Sequence, residues 1–522
     1  MIREIFRRKC LRLWLCKPEY MERTKWENRF VLLRFRKKNY MMFLKDLKRF
    51  KMERLYDKLK AYSESDFYAF HMPGHKRNKA LLGIELPYDL DITEIDGFDD
   101  LHHADGILKE EQERAARVFG AEESHFLVNG STAGILSAVM GCTHRGDKIL
   151  VARHCHKSIY HAIYMNGLVP RYVYPEFDIS MHMNGEISKE DVAKALAAEP
   201  DIKAVVIVSP NYDGVVSDVK GIAEVAHSYR IPLIVDEAHG PHFGFHPAFP
   251  GRANDLGADV VINSLHKTLP SLTQTAILHI NGKIVNRRRI KKYLDMLQSS
   301  SPSYIFMASL DACVDFLDGK CEEAFELYVE RLQKFREELE PLQHLQILRT
   351  EHYDISKVVI STANANITSP ELADRLRKEY HLEMEMTGGT YVLAMTTVAD
   401  TQEGLDRLKA ALMEIDGQLE AKTAVSGSIE ISGELPRLEQ YFTPQEAADR
   451  EEDGEAEEIP WKESEGHISL EYAYLYPPGS PVIVPGERIS REAVELLCYY
   501  ETQNLQIEGI QTEGKIKVWK HE

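Results

Sequence analysis

The sequence predicts an α/β fold built on a mostly parallel β-sheet. Short apolar stretches of strand type, as at residues 148–152, 204–208 and 231–236, alternate with polar loops and amphipathic helical patterns. Repeated units of strand, loop and helix are typical of parallel strands joined by crossover helices. The loops that follow the carboxyl ends of such strands lie together at one edge of the sheet, where α/β proteins bind their ligands.

Length and composition limit the class of protein. The chain has 522 residues, enough for two or three domains, and its 44% hydrophobic and 28% charged residues are ordinary for a globular protein. No apolar run reaches the roughly 18 residues that a membrane-spanning helix needs. The seven cysteines are scattered without C-x-x-C spacing. We therefore expect a cytoplasmic protein with no membrane partner and no bound metal.

The first 51 residues differ from the rest of the chain in their charge. They hold 17 Lys and Arg against 5 Asp and Glu, a net charge of +12, whereas the whole chain carries −18. Such a basic segment suits either a nucleic-acid-binding arm or an extension without a structural role. We favour a dispensable extension at 1–51, with no nucleic-acid partner, because an amphipathic helix suited to the first element of a fold begins only at Met52.

Lys267 is the first candidate for a reactive side chain. An apolar stretch of strand type at 260–262 ends shortly before it and Pro270 follows it, so we expect the lysine in a tight loop. Ser264 and His266 lie in the same turn, where they could hydrogen-bond a phosphate. A lysine that forms a Schiff base needs a tuned amine and an aldehyde partner anchored nearby. An ordinary surface lysine is the alternative.

Asp236 strengthens the interpretation of Lys267 as a reactive residue. It ends the apolar stretch that begins at Ile231, and it precedes Lys267 by 31 residues (267 − 236). A carboxylate at the end of a strand can pair with the pyridine nitrogen of pyridoxal phosphate and keep it protonated, which makes the ring an electron sink. Ala238 would share the same face and leave room for a flat ring. An aspartate that only caps the next turn is the alternative.

A second loop has the composition of a phosphate site. Residues 126–128 predict a strand, and the Gly-Ser-Thr sequence that follows opens an apolar helix with Ser131 and Thr132 at its N-terminus. Free backbone amides and the positive end of a helix favour an anion, although an ordinary N-cap has the same composition. Beyond the strand at 148–152 the chain has histidines, of which one could stack on a flat ring: His154, His156 and His161.

Taken together, these motifs resemble those of the pyridoxal-phosphate-dependent decarboxylases of ornithine, lysine and arginine, which have fold type I. The resemblance covers roughly residues 52–522. It is carried, in chain order, by HMPGHK, DDLHH, FLVNGSTAG, RHCHKS, DEAHG, SLHKTLPSLTQTA and YPPGSPVIVPGE.

The resemblance implies the domain organisation. A large domain with the pyridoxal-phosphate-dependent transferase-like fold (aspartate aminotransferase fold type I) is expected at 52–315, with a mostly parallel sheet. A small α+β domain is expected at 316–430 and a C-terminal decarboxylase domain at 431–522. Within the last, the acidic stretch at 451–458 suggests a solvated loop or linker.

The resemblance also implies the cofactor, pyridoxal 5′-phosphate, and the roles of single residues. Lys267 would form the Schiff base, Asp236 would pair with the pyridine nitrogen and His156 would stack over the ring, so these three are the catalytic candidates. His239 would lie near the phenolic oxygen of the ring. The phosphate would be held by hydroxyl groups and one imidazole from two loops: Ser131, Thr132, Ser264 and His266.

The assembly implied by the resemblance is a homodimer with shared active sites. The segment 299–303 is similar to a loop that reaches the cofactor of the neighbouring subunit. The chain looks like a short form of the family, without a separate regulator-like domain before the cofactor domain. Higher oligomers that are built through such a domain therefore stay open.

The implied reaction is the decarboxylation of a basic amino acid to carbon dioxide and a polyamine or diamine precursor. Arginine or lysine is expected ahead of ornithine. The cationic end of such a substrate needs a carboxylate, for which Glu487 is the first choice and Asp99 and Asp100 are the second. Lys267 and His156 both remain candidates for the acid that returns a proton.

Two other classes of function stay open. An aminotransferase or synthase of the same fold type would be expected to grip the substrate carboxylate with a late arginine, and none is present between residues 382 and 397. A decarboxylase gains by leaving that carboxylate poorly solvated. A catalytically inactive regulatory homologue is disfavoured, because Lys267, Asp236 and the phosphate loop are all intact.

Overall fold

The computed structural model describes most of the chain after residue 53. The described ranges are 54–178, 183–421, 435–475, 479–502 and 507–520. The predicted basic extension at 1–51 lies outside them, and so do residues 476–478 of the last motif.

The large domain is built around one seven-stranded sheet. The strands of the large domain, in chain order, are β1 Glu123–Leu127, β2 Lys148–Ala152, β3 Val169–Val173, β4 Phe177–Asp178, β5 Met183–Asn184, β6 Val205–Val208, β7 Leu233–Asp236, β8 Val260–Asn263 and β9 Ala276–Ile280. The sheet has the order β1-β9-β8-β7-β6-β2-β3, while β4 and β5 pair with each other. Strands β3, β2, β6, β7 and β8 are parallel, and β9 is antiparallel to both of its neighbours. The predicted mostly parallel α/β sheet is confirmed.

Helices cover the sheet of the large domain. They are α1 Leu55–Ser63, α2 Ile107–Val118, α3 Gly130–Cys142, α4 Lys157–Met165, α5 Lys189–Ala198, α6 Val219–Ser228, α7 Leu265–Thr268, α8 Arg287–Leu297 and α9 Tyr304–Leu317. Strands β6, β7 and β8 are buried along their whole length. Because both faces of these strands are covered, their sequences are continuous apolar runs and not alternating patterns.

The strand order decides where the site lies. Strand β7 lies between β6 and β8, and all three run in the same direction. The residues that follow them therefore emerge together at one edge of the sheet. Asp236 is the last residue of β7, and Lys267 lies four residues beyond the end of β8.

The small domain follows α9. Its helices are α10 Glu322–Glu338, α11 Ser369–Tyr380 and α12 Gln402–Asp416, and its strands are β10 Gln346–Ile347, β11 Lys357–Ser361, β12 Met386–Thr387 and β13 Tyr391–Met395. The four strands form an antiparallel sheet in the order β10-β11-β13-β12. Apolar residues of α1, α9 and the small domain share one core, so these elements pack as a unit.

The C-terminal part contains small antiparallel sheets. Its elements are α13 Pro444–Glu452, α14 Arg491–Thr502, β14 Glu439–Gln440, β15 Ala456–Pro460, β16 Ala473–Leu475, β17 Pro481–Ile483, β18 Glu487–Arg488, β19 Ile507–Glu508 and β20 Lys515–Trp519. The acidic stretch at 451–458, interpreted from its charge as a loop, instead ends α13 and enters β15, which pairs with β20. Its glutamates at 457 and 458 are exposed, which explains how a strand can be this acidic.

A buried ion pair joins the C-terminal part to the central sheet. Arg153 follows β2, and its guanidinium donates to both carboxylate oxygens of Glu487 over 2.7 and 2.8 Å. The two side chains are 2% and 0% exposed. Arg153 also donates to the carbonyl oxygen of Val482, and the amide of Val484 donates to Glu487. A bidentate pair with these further hydrogen bonds fixes the geometry of both partners.

We predict that Glu487→Gln lowers the free energy of unfolding by about 3–5 kcal/mol, because it leaves a buried guanidinium without its counter-charge. Urea-induced unfolding followed by circular dichroism measures the loss. The matched control is Glu439→Gln on the neighbouring strand β14, whose ion pair with Arg488 is exposed, so little change is expected. Equal stability of the two variants would contradict a structural role for the buried pair.

Candidate active site

A cavity of about 340 Å³ opens at the edge of the sheet where the parallel strands end. Residues predicted for the site from four separate loops line it: Ser131, Thr132, His156, Asp236, His239, His266 and Lys267. Ser264 is fully buried beside the cavity and donates a hydrogen bond to Ser131 Oγ over 2.9 Å. The fold therefore assembles the predicted phosphate, ring and lysine positions in one place.

Lys267 extends into this cavity from α7. The predicted tight loop is a single helical turn, Leu265–Thr268, which ends before Pro270. Nζ of Lys267 lies 2.8 Å from Nε2 of His239 and 5.9 Å from the centre of the Tyr212 ring. Burial lowers the pKa of Lys267, and the carboxylate of Asp236 opposes that shift. The amine is therefore easier to deprotonate than that of a surface lysine, as a nucleophile requires.

Asp236 is almost fully buried at the end of β7. Its Oδ1 accepts a hydrogen bond from the amide of Ala238 over 3.2 Å. Burial raises the pKa of Asp236, whereas the positive charge of Lys267 lowers it. A carboxyl group in this position can pair with a cationic group in the cavity, because loss of water leaves its charge poorly solvated.

His156 is the N-cap of α4 and faces the cavity. Its Nδ1 accepts hydrogen bonds from the amide of Ser158 over 3.2 Å and from the hydroxyl of Ser158 over 2.8 Å. Burial lowers the pKa of His156 to about 4, and the nearby Lys267 adds to this shift. The imidazole is therefore neutral near pH 7 and carries its proton on Nε2.

Two loops form the end of the cavity that is suited to an anion. Ser131 and Thr132 lie in the first turn of α3, where backbone amides are free and the helix end is positive. His266 donates from Nδ1 to the carbonyl oxygen of Thr275 over 3.0 Å, and burial lowers its pKa. Thr273 and Gln274 also line the cavity. No role was predicted for these two, although the motif that contains Lys267 extends through them.

Sequence analysis gave no role to the residues of the loop after β6. Asn211, Tyr212 and Asp213 line the cavity, and Asn184 approaches from β5. Asp213 Oδ1 accepts a hydrogen bond from the hydroxyl of Tyr391 over 2.5 Å, and burial raises its pKa to about 6. The available signal was the position of this loop at the end of a buried parallel strand, next to the strand of Asp236.

The three acids expected to bind the substrate cation are all engaged elsewhere. Both oxygens of Glu487 accept from Arg153, and Glu487 does not line the cavity, so the prediction for it is wrong. The carboxylate of Asp99 accepts from four backbone amides of its own loop. Asp100 caps the short helix Leu101–His103 and accepts from the His102 amide. These two carboxylates hold turns, and neither lines the cavity.

A buried chain of hydrogen bonds connects Lys267's helix to the small domain. Oγ1 of Thr268, the residue after Lys267, lies 2.9 Å from Nδ1 of His242. Nε2 of His242 donates to Asp354 Oδ1 over 3.1 Å. Burial alone would raise the pKa of Asp354, but His242 and Lys357 lower it below its ordinary value. Asp354 lies three residues before β11, so the chain ties the two domains together next to Lys267.

Glu237, next to Asp236, points away from the cavity and is buried. Its oxygens accept from the amide of Ala253 over 2.8 Å and from Nδ2 of Asn263 over 3.0 Å. Burial raises the pKa of Glu237 to about 8, and these hydrogen bonds offset only part of the shift. Its carboxyl group is therefore largely protonated in the folded protein at neutral pH.

Within the described ranges, no group of three or more His, Cys, Asp and Glu residues is arranged to hold a metal ion. Over the same ranges, no helix combines the length and apolar character needed to cross a membrane.

Comparisons with solved structures agree with this fold. The structure resembles that of a ureidoglycine-glyoxylate aminotransferase from Bacillus subtilis, with a TM-score of 0.51 over 68% of this chain and 94% of the other, at 14% identity. It also resembles the lysine decarboxylase of Francisella novicida, with a TM-score of 0.76 over 90% and 81% of the two chains, at 20% identity. The fold and its lysine-centred cavity thus define a protein with the aminotransferase fold.

Sequence comparisons identify the family. The family described as Orn/Lys/Arg decarboxylase matches through its major domain at residues 53–422 and its C-terminal domain at residues 433–514. An arginine decarboxylase of Bacillus subtilis is 34% identical over 471 residues, which are 87% of this chain and 95% of the relative. One of Bacillus anthracis is 32% identical over 89% and 97% of the two chains. The chain belongs to the Orn/Lys/Arg decarboxylase family, as its motifs predicted.

The raised pKa of Glu237 predicts a pH dependence of stability. Between about pH 4.5 and pH 8 the folded protein holds a proton that the unfolded chain releases, so the free energy of unfolding falls as the pH rises through this window. Because glutamine does not titrate, Glu237→Gln should abolish this fall in the free energy of unfolding, which is on the order of 2–4 kcal/mol. Urea unfolding at pH 5 and pH 8 measures it, with the exposed Glu110→Gln as control. The same pH dependence in Glu237→Gln and wild type would refute the assignment.

Proposed function

We propose that the chain is a pyridoxal-phosphate-dependent carboxy-lyase that decarboxylates a basic amino acid, arginine ahead of lysine and ornithine. One observation carries the proposal: the buried amine of Lys267 and the buried carboxylate of Asp236 share one cavity at the ends of adjacent parallel strands. Membership of the Orn/Lys/Arg decarboxylase family supports the reaction. The relatives named arginine decarboxylase, at 32–34% identity, support the choice of arginine.

The residues that line the cavity fit pyridoxal phosphate. Ser131, Thr132, Ser264 and His266 would hold its phosphate at the start of α3. Asp236 would pair with its ring nitrogen. Nδ1 of the buried His239 has no hydrogen-bond partner among the described residues, which is unusual for a buried nitrogen and suits a polar group of a ligand. His156 would stack over the ring.

The chain's own residues would bind the cofactor and move protons. When bound, the cofactor supplies a ring that takes up the electrons of the bond that breaks as carbon dioxide leaves. Lys267 would attach the aldehyde through its Nζ, which its lowered pKa favours. Asp236 would keep the proton at the ring nitrogen. Nζ of Lys267 and Nε2 of His156 are both candidates to return a proton to the product.

The cavity lining argues against the other classes of function. No arginine of the described part of the chain lines the cavity, whereas an aminotransferase would be expected to bind the substrate carboxylate with one. Lys267, Asp236 and the phosphate loop are present together in the lining, which argues against an inactive homologue. A cytoplasmic location stays a prediction from the sequence.

We also propose a homodimer that shares its active sites. The segment from Phe67 to Leu86 exposes several large apolar side chains, of which Phe70 is 90% exposed. A cluster of this kind is typical of an interface. The segment 299–303 begins at the cavity, because the amide of Ser299 donates to the side chain of Asn129, a lining residue. It is therefore in a position to contribute to an interface near the cofactor.

The reaction itself is the first prediction of this proposal. The purified protein, supplied with pyridoxal phosphate, should release carbon dioxide from arginine with a kcat/KM about tenfold or more above that for ornithine. Release of labelled carbon dioxide from carboxyl-labelled arginine, lysine and ornithine measures it. No release from any of the three would overturn the proposed function, and a keto acid product would favour an aminotransferase.

The attachment site is the second prediction. Lys267→Ala should still bind pyridoxal phosphate but should lose the link that borohydride reduces, and should lose turnover on the order of 10³-fold or more. Peptide mapping after reduction locates the tag in the wild-type protein. Lys157→Ala, which changes the lysine next to His156, should keep the tag at Lys267. A tag on any other lysine would refute the assignment.

A further inference from the structure

A carboxylate of the small domain contacts a residue that lines the catalytic cavity. Glu385 directly precedes β12, and the hydroxyl of Tyr212 donates a hydrogen bond to its Oε1. Tyr212 lines the cavity. The centre of its ring lies 4.5 Å from the centre of the His239 ring and 5.9 Å from Nζ of Lys267. One side chain thus spans the distance from the catalytic lysine to Glu385.

The pKa of Lys267 also indicates that Glu385 lies near its amine. Burial lowers the pKa of Lys267, and Glu385 and Asp236 are the two carboxylates that oppose this shift. Asp236 faces the ring nitrogen of the cofactor in the proposed function. Among the described residues Glu385 makes no ion pair, and it is exposed.

Asp213, the other acid of the lining, is less suited to a cationic ligand. It is buried, its Oδ1 accepts from Tyr391, and the charge of Lys357 lowers its pKa. Lys357 itself is fully buried, close to Asp354 at 3.6 Å. Lys357 acts on Glu385 as well, so a nearby cation does not separate the two acids. The difference is exposure: Asp213 is buried with its Oδ1 engaged by Tyr391, whereas Glu385 is exposed and can attract a cation from solution.

The backbone around Glu385 is held in a fixed shape. A side chain at Gly388 would place its Cβ 2.3 Å from Cε1 of Tyr391, so only glycine allows the turn between β12 and β13 to pack on that ring. The hydroxyl of Ser369 donates to the carbonyl oxygen of Gly388 over 2.6 Å. Tyr212 then orients the carboxylate, which leaves Oε2 for a ligand. A preorganised carboxylate of this kind loses little entropy when a cation binds.

We propose that Glu385 determines specificity by binding the distal cationic group of the substrate beside Tyr212, the lining residue that it contacts. This inference rests on the proposed function, because it assigns a partner to the side-chain cation of the amino acid whose α-amino group reacts at the cofactor. A guanidinium would place one N–H on Oε2 and stack near the ring of Tyr212. An ammonium would use the carboxylate alone.

Steady-state kinetics of Glu385→Gln tests the role. The variant should raise KM for arginine and lysine about 10- to 100-fold, with kcat changed only a few-fold, because the lost contact is the same in ground state and transition state. For citrulline, the neutral analogue of arginine, any slow turnover should be unchanged or improved. Tyr212→Phe should raise KM for arginine by less than Glu385→Gln does.

The matched control is Glu383→Gln, which removes an exposed charge two residues away on the same segment and should leave KM as in wild type. A binding readout accompanies the kinetics. The dissociation constant of 4-guanidinobutylamine, measured from the absorbance of the bound cofactor, should rise by the same factor as KM in Glu385→Gln.

The outcomes separate this inference from the proposed function. If the wild-type protein releases no carbon dioxide from any basic amino acid, the proposed function fails. If the wild-type protein is active and Glu385→Gln keeps its KM for arginine, only the role of Glu385 fails. A rise in KM in Asp213→Asn but not in Glu385→Gln would move the role to Asp213, and an equal rise in Glu383→Gln would reduce it to a general effect of surface charge.

Discussion

The site depends on two opposite charges held out of water. Burial lowers the pKa of Lys267 and raises that of Asp236, and each of the two charges opposes the shift of the other. This balance is possible only where adjacent parallel strands end side by side, since that geometry brings an acid and an amine 31 residues apart (267 − 236) into one cavity. The remaining lining residues are arranged around this pair, with the anion end at α3 and the neutral imidazoles between.

The parts of the fold and site that follow from local sequence were predictable. Strands β6, β7 and β8 are buried on both faces, so their apolar runs and the loops after them could be recognised without the structure. Ser131, Thr132, His156, Asp236, His239, His266 and Lys267 all line the cavity, because each lies in a short motif directly after a strand. The roles given to them at the cofactor remain proposals.

The parts that depend on contacts between distant residues were not predictable. Glu487 has the residue type and motif of a substrate ligand, but its lone pairs are taken by Arg153, which lies 334 residues away in the sequence. The case of Asp99 and Asp100 is different: they accept from backbone amides of their own loop, a local turn geometry that residue type alone does not indicate. Charge alone also misassigned residues 451–458, because an edge strand that exposes its glutamates is as acidic as a loop. Whether an acid is free is a property of its tertiary partners.

The hydrogen-bond chain from Thr268 through His242 to Asp354 has a mechanical consequence. It joins the helical turn of Lys267 to Asp354, three residues before β11, an inner strand of the small domain's sheet. A rotation of the small domain therefore either breaks a buried hydrogen bond to a charged group, at a cost of about 1.5–3 kcal/mol, or carries Lys267 with it. The orientation of the small domain and the position of the turn that carries Lys267 are therefore coupled through this chain.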